Sequence, residues 1–459
     1  LTGGRIRLKY RPAVGKQVKD AAGSLGNARE GYSIRGALWR WQVAERSGQS
    51  IFWGWYIVAA AFFVLAINYG GRYSFGVFVK PLAQEYGWSR SVISLGASLN
   101  MLIYSAGAVI IGRMVDRIAP RWIVTGGAVI AAAGYCLTSL VQAPWQFYIV
   151  YGLLLGIGSA GLGVVAVNSS VGKWFIRKRG TAIGITTMGV SFGTVALTPL
   201  AGLMVKNFNW QTGFMILGLL TLIVGVGLSQ LFLRRVRPED HGLLPDGEVH
   251  TELVVKIAAP PAPAPGPRFV DMIRDRRFQT LALSFGLAVM VLMSVFVHQV
   301  AFAIDQGIGE VAAASSLAAL GLAGFAGQFF FGWLSDRIRD PKYASFLGMS
   351  FMLLGLGVLL QVGSVRGLFI YAVVFGFGYG ALAPMMPILL ADRFGRDVLG
   401  AIYGFVTLFL GIGGAVGPYV AGLIYDASGA YGFVWKADIV IMIFVAAFIL
   451  TLPRKAAVS

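Results

Sequence analysis

Arg72 and His298 are the residues whose chemistry most needs an explanation. Each sits inside a long apolar run, where an ionisable group is costly and marks a site by default. A buried guanidinium needs water or an anion, and its fork of N–H donors fits a carboxylate in bidentate fashion. His298 is followed by Gln299, and its imidazole can carry a proton or donate to an anion. The twenty Asp and Glu residues all read as loop, tail or run-end positions, so none is expected to oppose Arg72 from within. That imbalance favours an anionic ligand over a cationic one. Asn68, Tyr73, Asn100, Tyr104, Asn168, Gln328 and Tyr379 are further polar candidates for the same lining. Each of these alone serves equally well as an interhelical hydrogen bond. Arg72 lies roughly 10 Å from the expected outer end of its run, at about 1.5 Å per residue. The competing reading has it snorkelling to the headgroups.

The elements that hold these residues follow from composition. Of 459 residues, 57% are hydrophobic and 13% charged, against about 25% charged in a soluble domain. Such a chain has a lipid solvent and is a poor match for a cytosolic enzyme. Cys136 is the single cysteine, which excludes an intrachain disulfide framework and a Cys-based zinc site. His241, His250 and His298 are too far apart for metal-ligand spacing. No metal and no cofactor is expected. No Ser/His/Asp or paired-carboxylate constellation and no phosphate loop suggests an enzyme or an ATP-driven pump.

A helix crosses the bilayer core with about 20 apolar residues. Twelve runs qualify, at approximately 52–79, 90–111, 122–142, 145–168, 179–205, 211–233, 278–304, 311–334, 343–362, 367–391, 399–424 and 433–452. The expected fold is therefore all-α, with twelve membrane helices in two halves, 51–233 and 278–452. Lys and Arg gather in the loops after even-numbered runs, for example Lys173, Arg177, Lys178 and Arg179, which places both termini in the cytoplasm. The net charge of +18 thus reports orientation towards an anionic leaflet, not nucleic-acid binding. The expected location is the plasma (inner) membrane. Residues 1–50 read as a basic, disordered cytoplasmic tail, 234–277 as a cytoplasmic linker with a Pro-rich stretch at 260–265, and 453–459 as a short tail.

The chain repeats itself at an offset of 220 residues. Gly112, Asp116, Arg117 and Ile118 meet Gly332, Asp336, Arg337 and Ile338; Gly180, Gly184 and Gly193 meet Gly400, Gly404 and Gly413. Parallel six-helix repeats suit a transporter that rocks about a central site. Gly112-Arg113-Met114-Val115-Asp116-Arg117 and Gly332-Trp333-Leu334-Ser335-Asp336-Arg337 resemble the loop motif of the major facilitator superfamily. The resemblance covers residues ~50–455 and assigns these residues to a gate. In it, Asp116 and Asp336 would face a helix N-terminus and a neighbouring Arg, and Gly112 and Gly332 would allow close helix contact.

Trp174 to Gly184, with Gly189, resembles the span-five signature of the monocarboxylate porter branch, which includes oxalate/formate-type exchangers. Trp53-Gly54-Trp55 matches its first signature partly, and Gly417-Pro418-Tyr419-Val420-Ala421-Gly422 is similarly typical. That branch commonly carries an Arg in span eight with an Asp one turn earlier; here Gln328 and Gly324 stand at those places. The resemblance implies a small organic anion as cargo, with H⁺ coupling or anion exchange. Either Arg72 and His298 take over from the missing pair, or the cargo is not a simple monocarboxylate. Efflux of neutral or hydrophobic compounds, and a transporter-like receptor, are the alternative expectations.

Overall fold

The computed structural model describes residues 52–234, 237–239, 245–247 and 274–453. The tail at 1–50, most of the linker at 234–277 and residues 454–459 lie outside the described residues.

Continuous apolar sequence has to satisfy its own backbone in lipid, which leaves the helix as its solution. Among the described residues, twelve helices long and apolar enough to cross a membrane result, at Trp53–Tyr86, Val92–Arg117, Pro120–Thr138, Pro144–Trp174, Arg179–Asn207, Trp210–Phe232, Arg276–Asp305, Val311–Ser335, Lys342–Leu359, Val365–Phe394, Leu399–Ser428 and Tyr431–Leu450. These are spans one to twelve. No strand occurs among the described residues. Large side chains such as Ile110, Leu140, Ile223, Leu354 and Val440 are exposed, as a surface wetted by lipid chains requires.

The duplicated sequence folds as duplicated packing. Span one lies on span five where a Cβ at Gly193 would overlap the Ala66 carbonyl, and span seven on span eleven where a Cβ at Gly413 would overlap the Gly286 carbonyl. The two pairs are 220 residues apart. A glycine on one side lets the two backbones approach so closely.

Three spans are interrupted, spans one and four where the apolar sequence gives no warning and span ten beside Pro384 and Pro387, which mark an interruption in the sequence. Span one breaks at Ser74, whose hydroxyl donates to the Gly70 carbonyl at 2.6 Å. Span four widens into a π-helix over Tyr148–Leu154 and breaks again before Val164. Span ten breaks between Tyr379 and Leu382. Pro384 falls in the first turn after that last break, where a missing N–H costs nothing, while Pro387 lies inside the helix.

Two expectations are corrected. Span one runs to Tyr86, so Arg72 is about 21 Å from the end of its helix rather than ~10 Å. Asp438 sits within span twelve and is 5% exposed, so the spans do hold a buried acid.

Candidate functional site

Arg72 lies two residues before the break in span one and is 9% exposed. Its Nε–H donates to Asn100 Oδ1 of span two at 3.0 Å, and an Nη2–H points at Met101 Sδ at 3.5 Å. The guanidinium carbon lies 4.2 Å from the Tyr104 ring centre and 5.8 Å from that of Tyr69. Both contacts are cation–π attractions. The Tyr69 and Tyr104 hydroxyls are 2.6 Å apart. Asn100 is fixed from behind, because its Nδ2 donates to the Tyr151 carbonyl at 2.9 Å. Tyr151 belongs to the π-helical stretch of span four, so the irregular turn presents a carbonyl that orients the arginine's partner. No carboxylate pairs with Arg72 among the described residues. The result is a cation walled by tyrosines, with N–H donors left for a ligand.

The other expected lining residues divide into groups. Asn68 donates to the Ser159 carbonyl at 3.2 Å, tying span one to span four. Tyr73 is half-exposed and packs against Tyr69. Across the molecule, Gln328 of span eight accepts from Ser191 of span five at 3.3 Å. The Tyr379 ring occupies the space against Gly324, where a Cβ would overlap it, so an aspartate there would displace the ring. Tyr379 and Tyr73 are near enough to interact electrostatically, which brings the two groups towards each other. Asn168, fully buried, lies beside Tyr403 without a hydrogen bond of good geometry.

His298 and Gln299 point elsewhere. The His298 Nε2 lies 3.0 Å from the Pro418 carbonyl of span eleven and Nδ1 lies 3.2 Å from the Tyr431 hydroxyl of span twelve. Gln299 accepts from Tyr371 of span ten at 2.6 Å. The structure does not bring either residue into contact with Arg72. Tyr69, missed from sequence, does reach it; the three-residue spacing from Arg72 on one helix face was the available signal.

The repeated loop motif joins helices of both halves at the end of the molecule that carries the loops after even-numbered spans, called the basic end here. Asp116 accepts from Gly400 N at 3.2 Å and from Ala401 N at 2.8 Å, at the N-terminus of span eleven. Asp336 accepts from Gly180 N at 2.6 Å, and from Thr181 N and Oγ1 at 2.7 Å each, at the N-terminus of span five. Each carboxylate thus meets free N–H groups and the positive end of a helix. A Cβ at Gly112 would overlap the Gly400 carbonyl, and one at Gly180 the Gly332 carbonyl. Burial pushes the Asp336 carboxyl above the ordinary carboxylate value, and hydrogen bonds from Thr181 and Gly180 pull against it.

Neither expected arginine touches these aspartates. Arg337 lies 3.9 Å above the Trp333 ring, and Arg117 is exposed. The cation at Asp116 is Lys173, at 3.6 Å, which also donates to the Val115 carbonyl at 2.8 Å. Described parts of the linker add to this end. Arg237 pairs with Asp397 at 3.0 Å and Glu239 with Arg396. Asp246 accepts from the N–H groups of Ile176, Arg177 and Lys178 at 2.9, 2.8 and 3.0 Å.

Comparisons with known proteins agree with this geometry. The model of the Major Facilitator Superfamily matches residues 61–365 and 307–458. Monocarboxylate transporter 11 of Homo sapiens is 26% identical over 391 residues, covering 83% of this chain and 78% of that protein. Monocarboxylate transporter 12-B of Danio rerio is 28% identical over 405 residues, covering 83% and 82%. Among solved structures, FucP in the outward conformation superposes with a TM-score of 0.66 at 14% identity, covering 87% of this chain and 98% of that one. The proton:xylose symporter XylE, bound to 6-bromo-6-deoxy-D-glucose, gives 0.64 at 15% identity, covering 88% and 96%.

Proposed function

Because the chain belongs to the Major Facilitator Superfamily, it is a multi-pass membrane transporter and not an enzyme, and we propose that it carries a small organic anion by alternating access. The observation that carries the choice of cargo is Arg72, a buried cation with no acidic partner among the described residues. A carboxylate supplies the missing charge and can take two parallel N–H···O bonds. Relatives named monocarboxylate transporters support the same cargo class.

In this reading the Asp116 and Asp336 contacts hold the basic end shut while the ligand enters from the opposite side. Arg72, Tyr73, Tyr104 and Asn100 receive the anion in one half, and Gln328 and Tyr379 meet it from the other. Asn68 braces span four behind them, and Asn168 of span four faces Tyr403. Ligand bridging both groups favours rocking of the halves, which parts each aspartate from its helix N-terminus. The basic end faces the cytoplasm of a plasma membrane, with both termini there. The drive is a proton gradient or exchange against a second anion.

The test is uptake of radiolabelled pyruvate and acetate into proteoliposomes containing the full chain or Arg72→Gln. Saturable uptake in the wild type and its loss in Arg72→Gln are expected. Equal uptake by the two proteins rejects the role of Arg72.

A further inference from the structure

Span twelve carries an acid that the ligand site and the gate do not use. Asp438 is the eighth residue of Tyr431–Leu450, about 10 Å along the helix. Its Oδ2 accepts a 2.9 Å hydrogen bond from Ser294 Oγ on span seven. No Lys, Arg or His pairs with it among the described residues.

The groups around it are few. Along span seven, one turn from Ser294, stands His298 between Tyr431 and the Pro418 carbonyl. A carbonyl only accepts, so His298 Nε2 carries a hydrogen, and in the neutral ring Nδ1 accepts from Tyr431. Span ten offers Tyr371, whose hydroxyl donates to Gln299. Span eleven offers Tyr425, its ring centre 4.3 Å from that of Tyr431, and the exposed Asp426. On span nine, Lys342 is spent at the basic end on the carbonyls of Leu450 and Leu452. On span twelve itself, Lys436 is exposed over Phe433. None of these neutralises a carboxylate at Asp438.

A buried, uncompensated carboxylate is costly and calls for a cation. A sodium ion needs several oxygen ligands, which transporters draw from unwound backbone. Spans seven and twelve run unbroken here, and one serine hydroxyl is the ligand on offer. A proton needs only the carboxylate oxygen itself.

We propose that Asp438 takes up and releases a coupling proton, with Ser294 holding the carboxyl and His298 at the outer mouth of the seam. On uptake an O–H bond forms on the carboxylate with a proton from bulk water, and on release that bond breaks and the proton returns to water. Span seven carries Ser294, His298 and Gln299, whose partners lie on spans ten, eleven and twelve. Movement of span seven therefore acts directly on the Ser294–Asp438 bond. The coupling role rests on the transport reading above, whereas the proton site itself does not.

The experiment has two arms on the full chain in lipid. Infrared difference spectra between acidic and alkaline buffer, with no substrate present, are expected to show a carboxylic-acid band that Asp438→Asn lacks and that Asp438→Glu restores at a shifted position. Pyruvate uptake driven by an inward acid gradient is expected to be stimulated several-fold in the wild type and not in Asp438→Asn, while pyruvate–pyruvate exchange persists in that variant. A band unchanged in Asp438→Asn overturns the proton site whether or not pyruvate is a substrate. A band that is lost while gradient stimulation is retained makes Asp438 a structural acid and also overturns the proposal. Circular dichroism and size-exclusion profiles matching the wild type qualify each variant, and Ser294→Ala, which keeps the acid, is expected to shift the band without removing it.

Discussion

Asp116 at the end of span two and Asp336 just past span eight cap the same two backbone positions of their partner helices, 220 residues apart, yet they are compensated differently. Asp116 has the Lys173 ammonium. Asp336 has the Thr181 hydroxyl. The repeat explains the exchange. The counterpart of Lys173 is Arg393, but Arg393 is held by Asp340 and Asp392. The positions equivalent to those two acids are Pro120 and Gly172, so nothing draws Lys173 away. The counterpart of Thr181 is Ala401, which has no hydroxyl to give. The duplicated part of the contact is therefore backbone geometry, and charge compensation was solved separately in each half.

The largest expected effect falls on the shared part. Gly400→Val and Gly180→Val each drive a side chain into a facing carbonyl, at Gly112 and Gly332 respectively. Both are expected to abolish the closed basic end, read as a longer distance between spin labels at its two sides. A large effect in one copy and none in the other breaks the symmetry of the comparison.

Next in size is the removal of compensation. Lys173→Met leaves Asp116 with backbone donors alone, removes the ammonium's bond to the Val115 carbonyl, and is expected to cost about 2–3 kcal/mol of the closed state, the upper part of the range for a hydrogen bond to a charged group. Thr181→Val removes one hydroxyl donor from Asp336 but leaves its two backbone donors and no stranded charge, with an expected cost of about 1.5 kcal/mol, the low end for a hydrogen bond to a charged group. Thermal unfolding and label distances check the order, and equal costs contradict the difference drawn between the two copies. The smallest effect is a gain. Ala401→Thr supplies copy one with the hydroxyl that copy two has, and is expected to stabilise the closed end by about 0.5–1 kcal/mol, seen as a slightly higher melting temperature.

Much of this was readable in the sequence, because run length and loop charge are direct consequences of a lipid solvent. The twelve spans and the paired Gly-x-x-x-Asp-Arg loops follow from it. The break at Ser74 was not, since apolar sequence continues through it and the interruption lies in the backbone, whereas Pro384 and Pro387 marked the one in span ten. Lys173 looked like one more loop cation; its burial depends on how span four meets span eleven. Asp438 was hidden by a boundary: a span beginning at 433 puts it near an end, whereas Tyr431–Leu450 puts it two turns inside. His298 and Gln299 read as neighbours in one site, but successive residues on a helix point about 100° apart, and each found partners on a different span. The burial of Arg72 was legible because a lone cation among apolar residues stands inside a span.

Calorimetric titration of the purified protein and of Arg72→Gln with pyruvate and with its neutral amide tests the anion site most directly. The wild type is expected to bind pyruvate in preference to the amide, and Arg72→Gln to lose about tenfold or more of that affinity, the worth of a charge-assisted hydrogen bond. Undiminished pyruvate binding by Arg72→Gln, or equal binding of acid and amide by the wild type, would contradict an anion held by Arg72.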